Sequence, residues 1–321
     1  MPGAYTHMTI VELLTSGKSL NNMKLPKKGR SALMAYPEFC NMGAISPDYP
    51  YLRLAGDSEE AEEWANAMHH KYGTQTEGNI LHLGIKYITQ LTGDNQLKCF
   101  AWFLGYASHI IVDVTLHPMT NLLVGDYEAN GNAMEHRVSE MHQDVYIYKT
   151  RLNGDVRKSE KIKNVIGTCA DQDDKNKVDS TIEKMWRYML SKAFPSIYAE
   201  LNPNIHGWHG SVQFFIDNVG EELSFIPSRH IREFFEEKGV AYPRYEDVKL
   251  GQYISELKTP KGIKTYDQVF DHAKRNVSKV WKIISAAVFT EDNLYESKLK
   301  MWNLDIGQEV NTPKVMWEDT L

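Results

Sequence analysis

The chain has 321 residues, 42% of them hydrophobic, with a formal charge of −6 and a pI near 6.1. That is enough apolar material for one large core or two modest ones, and nothing marks a long disordered span. The acidic balance argues against a broad basic face of the kind that neutralises a nucleic acid duplex.

Residues 1–7 contain no basic run followed by an apolar stretch, so no secretory leader is read and a cytoplasmic location is expected. A short helix is expected over Thr9 to Leu14, followed by polar loops from Ser16 to Lys28. Helical spacing returns over Glu59 to His70, with Ser58 as N-cap, and over Asn79 to Leu91, with Gly93 as the stop. From Asn95 to about Val114 the chain is apolar nearly all round, the mark of a helix surrounded by others, and Pro118 is expected to end it. Residues 99–116 approach the length of a membrane span, but His109 and Asp113 would be expensive in lipid. A buried core helix, and no transmembrane segment, is the expectation.

Gly125 to Gly131 reads as a turn, Ala133 to Lys149 as a helix, and Asn153 to Lys177 as a domain boundary or long surface loop. Amphipathic stripes follow, one from Val178 to Ala193 and one from Val269 to Val288, separated by an irregular connector from Tyr242 to Pro260. The fold class read from this pattern is all-α. Residues 1–150 form a metal-binding helical core, and residues 151–321 a helical remainder packing on it as part of the same domain. Cys40, Cys99 and Cys169 are far apart and none lies in a Cys-x-x-Cys pair, which fits free thiols.

Seven of the twelve histidines fall between residues 69 and 142. His109, Asp113 and His117 are spaced four apart, as are His136 and Glu140, so each set shares one helix face. Imidazole nitrogen and carboxylate oxygen are the ligands a borderline cation such as zinc accepts, and a site for more than one ion is the first reading. Taken alone, His109 and Asp113 could equally be an internal hydrogen-bonded pair. His82 and His230 read as core histidines, and the stripes of Met and Trp after residue 178 as packing. His142 and Asp144 are either partners that orient ligating imidazoles or exposed residues. His206-Gly207-Trp208-His209 reads as a loop with an aromatic anchor, and Asp171 to Lys177 as a solvated loop.

Several fragments in order resemble the zinc-dependent phospholipase C family and its relatives, the single-strand-specific zinc nucleases. They are Thr6-His7-Met8, Ile45-Ser46-Pro47-Asp48-Tyr49, His69-His70-Lys71-Tyr72, Leu104-Gly105-Tyr106-Ala107-Ser108-His109 with Asp113, His117-Pro118, and His136 with Glu140. The resemblance covers roughly the first 150 residues and implies an all-α multi-helix bundle holding two or three zinc ions. It assigns Asp48, His70, His109 and Asp113 to one ion, and His117, His136 and Glu140 to a second. A third would share Asp113 and add His7 with groups of the chain's first residue. His69 remains the alternative to His70, which is favoured by the Lys-Tyr pair after it. Asp48 is the implied base for an attacking water, and Tyr49 the implied wall of a head-group pocket.

The sequence departs from that pattern in two places. The histidine expected beyond a Pro-Met pair is His117, ahead of Pro118-Met119, and no acidic residue precedes His7, so a choline head group is not implied. The first reading is an enzyme, a zinc-dependent phosphodiesterase of the phospholipase C type whose substrate is a phosphodiester, with phospholipids among the candidates. The alternatives are a single-strand nuclease or nucleotide phosphohydrolase using the same metals, and a non-catalytic helical binding protein stabilised by metal. The sequence leaves the oligomeric state open.

Overall fold

In the computed structural model, which describes residues 2–51, 58–69, 78–125, 132–218 and 241–317, nearly all regular structure is helical. The first helices are α1 (Ala4–Thr15), α2 (Gly17–Asn22), α3 (Lys27–Ala35) and α4 (Pro37–Gly43), followed by a 3₁₀ turn over Ser46–Asp48. Then come α5 (Ser58–Met68), α6 (Ile80–Thr89), the 32-residue α7 (Gly93–Val124) and α8 (Asn132–Leu152). The second half supplies α9 (Lys161–Thr168), α10 (Ser180–Ala193), α11 (Pro195–Glu200), α12 (Ile205–Asn218) and α13 (Leu250–Tyr253). After these stand the hairpin β1 (Leu257–Thr259) with β2 (Gly262–Lys264), the long α14 (Tyr266–Thr290), α15 (Leu294–Lys298), and the hairpin β3 (Trp302–Asn303) with β4 (Gln308–Glu309). Both hairpins are antiparallel.

Everything is arranged around α7, which is buried from Cys99 through Thr120. By length and composition it could cross a membrane, but the whole of its most apolar window lies inside the fold. Two glycines let α4 cross it at close range. A Cβ on Gly43 would stand 1.9 Å from the Trp102 carbonyl, and one on Gly105 1.9 Å from that of Cys40, so no other residue fits at either place. On the opposite side the stripe of α14 packs against α7, and the Trp281 indole donates to the Leu104 carbonyl (2.9 Å) and to Ser108 Oγ (2.8 Å). Helix α14 is started by a capping box between Thr265 and Gln268.

Several expectations from local rules need correction. Helix α7 does not stop at Pro118 but continues to Val124. Proline removes only the bond to the Val114 carbonyl, and the next turn is held from outside, where Asn121 Nδ2 donates to the Asp305 carbonyl (2.8 Å). Gly93 does not end the preceding helix; it is the first residue of α7 and adopts φ +62°, a conformation suited to glycine. The polar stretch from Ser16 to Lys28 contains α2 and the start of α3, and the first helix begins at Ala4 rather than Thr9. Helix α9 lies within the expected loop 153–177, because Val165 and Ile166 bury a short apolar face amid the charges. The segment from His206 to His209 belongs to α12 rather than to a loop. Most of the expected turn at 125–131, and His230, lie outside the described residues.

Candidate metal centre

Five of the chemistry-bearing side chains converge at the middle of α7. His109 and Asp113 occupy one face of that helix, one turn apart, and His109 Nε2 lies 3.2 Å from Asp113 Oδ2. The 3₁₀ turn brings Asp48 from the neighbouring α4 side, and Trp102 holds the turn in place by donating to Ser46 Oγ (3.0 Å). His69 enters from the residue after α5, with Nε2 3.3 Å from Asp48 Oδ1 and 3.6 Å from Asp113 Oδ2. His7 arrives on α1, its ring stacked on that of His109 at 4.3 Å and its Nε2 3.3 Å from Asp113 Oδ1.

Helix α1 is fixed at its start by Asp144, which accepts from the backbone N–H of Thr6 (2.7 Å) and Tyr5 (3.2 Å) and from the Tyr242 hydroxyl (2.9 Å). Asp144 therefore aims His7 by capping its helix rather than by touching an imidazole.

The tautomers are legible from the far side of each ring. His69 Nδ1 faces the Ala65 carbonyl at 2.7 Å, and His109 Nδ1 faces that of Ala44 at 2.9 Å. A carbonyl can only accept, so each neutral ring carries its proton on Nδ1 and turns the Nε2 lone pair inward. Inside, those lone pairs meet the oxygens of Asp48 and Asp113 at 3.2–3.7 Å, acceptor against acceptor. Asp48 Oδ1 and both oxygens of Asp113 have no hydrogen-bond partner among the described residues. Such an arrangement is repulsive unless a positive charge sits among the atoms.

The electrostatics carry the same sign. Burial opposes charge on His109, yet Asp113 and Asp48 hold its pKa up at about 9. Burial likewise opposes ionisation of Asp113, but His109 and His117 outweigh it and keep the carboxylate well below its ordinary range.

The donor set fits divalent ions. Ligand bonds of about 2.1 Å in a tetrahedron place the ligands about 3.4 Å apart, the spacing found here. His7, His109 and Asp113 form one group with ligand atoms within 4.8 Å of one another, and Asp48, His69 and His109 form another. Asp113 turns Oδ1 to His7 and Oδ2 to His69 and His109, so its two oxygens face two positions.

The remaining sequence candidates are placed less uniformly. His117, one turn beyond Asp113, is buried, and its Nε2 has no hydrogen-bond partner among the described residues while its Nδ1 faces the Leu304 carbonyl. His136 and Glu140 are buried on α8, and His136 Nε2 lies 2.8 Å from the Gly125 carbonyl. Burial raises the Glu140 carboxyl to about 7. Among the described residues these three do not close into a ligand group of their own. His70 lies outside the described residues, and it is His69, the alternative in the sequence, whose imidazole faces Asp48 and Asp113.

Tyr49 is fully buried, with its ring 5.9 Å from that of Trp186 and 6.1 Å from that of His209. His142 stacks on Tyr253 and accepts from the Lys249 amide at 3.3 Å, and His82 bonds to the Leu299 carbonyl at 2.9 Å. Of the two readings of Asp144, exposure is excluded by its burial, and it orients an imidazole only indirectly, through the start of α1. The role of Leu304 was not anticipated and carried no signal, being a backbone contact.

The sequence model of the zinc-dependent phospholipase C family matches residues 6–196, more than half of the chain. No curated protein and no solved structure matches the chain.

Proposed function

Since the chain belongs to the zinc-dependent phospholipase C family, we propose that it is a metal-dependent hydrolase of phosphodiesters, with Asp113 shared between two ions and Asp48 as the group that orients and deprotonates the attacking water. The single observation that supports this reading most is the buried meeting of carboxylate oxygens with inward-turned Nε2 lone pairs, which needs positive charge to exist. His7, Asp48, His69, His109 and Asp113 would hold ions at the two positions, with His117, His136 and Glu140 as the candidates for a further one. Bound dications supply Lewis acidity towards water and towards the non-bridging oxygens of a phosphodiester.

The chain's own residues divide the remaining work by exposure. The side chain of Asp113 is 0% exposed and that of Asp48 11%, so of these two carboxylates it is Asp48 that presents an edge to an entering molecule. Burial opposes its charge, but His109 and His69 hold its pKa below the ordinary value, so it enters the reaction ionised and able to accept a proton. His109 is anchored through Nδ1 to the Ala44 carbonyl, two residues after the Met42 carbonyl to which Ser46 Oγ donates. The turn bearing Asp48 and the helix bearing Asp113 are therefore held at a fixed separation.

The test is turnover by the zinc-loaded protein on phospholipid vesicles, read as released phosphorylated head group or diacylglycerol, beside single-stranded DNA and RNA under matched metal. Hydrolysis of vesicles is the expected result. Cleavage of the nucleic acids alone would move the substrate class to nucleotides, and inactivity on all of them at saturating zinc would overturn the hydrolase reading.

A further inference from the structure

Residues 299–317 lie beyond the stretch that the family accounts for, yet they pack on the C-terminal half of α7, next to the metal centre. The tip of the β3–β4 hairpin touches two of the site's imidazole residues through one residue's backbone. The Leu304 N–H donates to the His69 carbonyl at 3.0 Å, and the Leu304 carbonyl accepts from His117 Nδ1. That second contact places the proton of a neutral His117 ring on Nδ1 and leaves Nε2 as a lone pair. Leu304 itself is 1% exposed, so the bonds are shielded from water.

The hairpin is shaped for this contact. Asn303 Oδ1 accepts from the Asp305 and Ile306 amides at 3.0 and 3.2 Å, which folds the chain back at Leu304. Gly307 follows at φ +67° and lies directly against α7. A Cβ there would come 2.5 Å from the Val114 carbonyl and 2.5 Å from Pro118 Cγ. Val114 is the residue whose carbonyl loses its helical partner to the proline ring at position 118, so the break in the ladder and the glycine meet at one point. The far end is tied by Trp317, whose indole donates to the Thr115 carbonyl at 2.8 Å.

We propose that this C-terminal hairpin is the positioning element of the metal centre: through the backbone of Leu304 it sets which nitrogen of His117 faces inward and pins His69, so retention of the ions depends on its being docked. The inference rests on the metal reading above. Partners of this kind behind a ligating imidazole are worth roughly 10- to 100-fold in metal affinity.

The experiment uses the full-length protein and two variants, Gly307→Ala and Trp317→Phe, with Val165→Ala in α9 as a control for general loss of packing. Zinc affinity is measured by chelator competition, the ligand field by the visible spectrum of the cobalt-substituted protein, and the fold by melting of the metal-free form. Gly307→Ala is expected to lower zinc affinity at least tenfold and to alter the cobalt spectrum. Trp317→Phe should do the same more weakly, and Val165→Ala should lower the melting temperature with metal affinity and spectrum unchanged. Wild-type affinity and spectrum in Gly307→Ala would overturn the inference. Should Gly307→Ala not fold, Trp317→Phe decides alone, an unchanged affinity and spectrum again counting against it. Wild-type protein that takes up neither zinc nor cobalt would overturn the metal reading itself, a result distinct from loaded wild type with unaffected variants.

Discussion

Two of the buried regions carry polar atoms without hydrogen-bond partners among the described residues, and they lack opposite things. Around Asp113 the orphaned atoms are carboxylate oxygens of Asp48 and Asp113, His117 Nε2 and both nitrogens of His7, acceptors but for the one N–H of a neutral His7 ring. Around Trp186 they are the Tyr49 and Tyr106 hydroxyls and the Trp186 indole N–H, groups able to donate, set among Trp102 and Trp208 with rings 5.3–5.9 Å apart. The first region contains formal charge and is stable only with a cation or protons among its atoms. The second is neutral, and each unmet donor costs about 1–3 kcal/mol, which packing can absorb. Burial of unpartnered groups thus marks a site only when the groups agree in sign and carry charge.

The contrast is broken most severely at Asp113. Asp113→Ala removes a carboxylate that faces both candidate ion positions, and zinc affinity should fall by more than about 100-fold, beyond the loss expected for an outer partner. Metal content after dialysis, with activity on the same sample, checks this. Asp48→Asn keeps shape and a ligating oxygen while removing the proton acceptor. It should retain most of its zinc and lose about 10²- to 10⁴-fold in kcat. Near-full rate in that variant would displace Asp48 as the base.

Much of this centre could be read from the sequence because its signal is side-chain identity at helical spacing: His109, Asp113 and His117 stand four apart on one element. What could not be read is anything settled by where an element ends or by backbone. Helix α5 stops at Met68, and the His69 amide bonds back to the Ala65 carbonyl, so the orientation of His69 depends on a terminus that no neighbouring residue type announces. Leu304 reaches His117 across 187 residues through a carbonyl, which every residue possesses. Pro118 misled for the converse reason, since a sound local rule was outweighed by tertiary contacts on α7. The second half was legible as helix from the stripe of α14, and α9 was hidden by the charges around two buried residues.

The two regions should also respond to pH in opposite directions. In metal-free protein the pKa of His109 lies at about 9, above its ordinary 6.5, so its contribution to stability is complete below about 6.5 and is lost as the pH rises through about 9. Zinc uptake must displace that proton, so affinity should climb over the same range and calorimetry in buffers of different ionisation enthalpy should show proton release. At His209 burial pushes the pKa down to about 4. The unfolded chain takes up the proton first, so stability is complete above about 6.5 and declines as the pH falls towards about 4, by on the order of 3 kcal/mol at most. Denaturant titrations of wild type and His209→Gln should converge at acid pH. Parallel curves would remove His209 from the account.

The smallest effect is expected at Tyr49, where the resemblance and the geometry point different ways. The resemblance makes Tyr49 the wall of a head-group pocket, whereas here the ring is 0% exposed and its hydroxyl finds no partner among the described residues. Burial, with Cys169 nearby, pushes that hydroxyl well above its ordinary pKa, so it stays neutral at physiological pH. Tyr49→Phe deletes only an unmet donor and leaves the contacts with Trp186 and His209, so stability should change by no more than about 1 kcal/mol, in the favourable direction. KM should be the same for lipids of different head group. A rise in KM confined to one head group would mean that the aromatic chamber opens to substrate, making Tyr49 part of the binding surface after all.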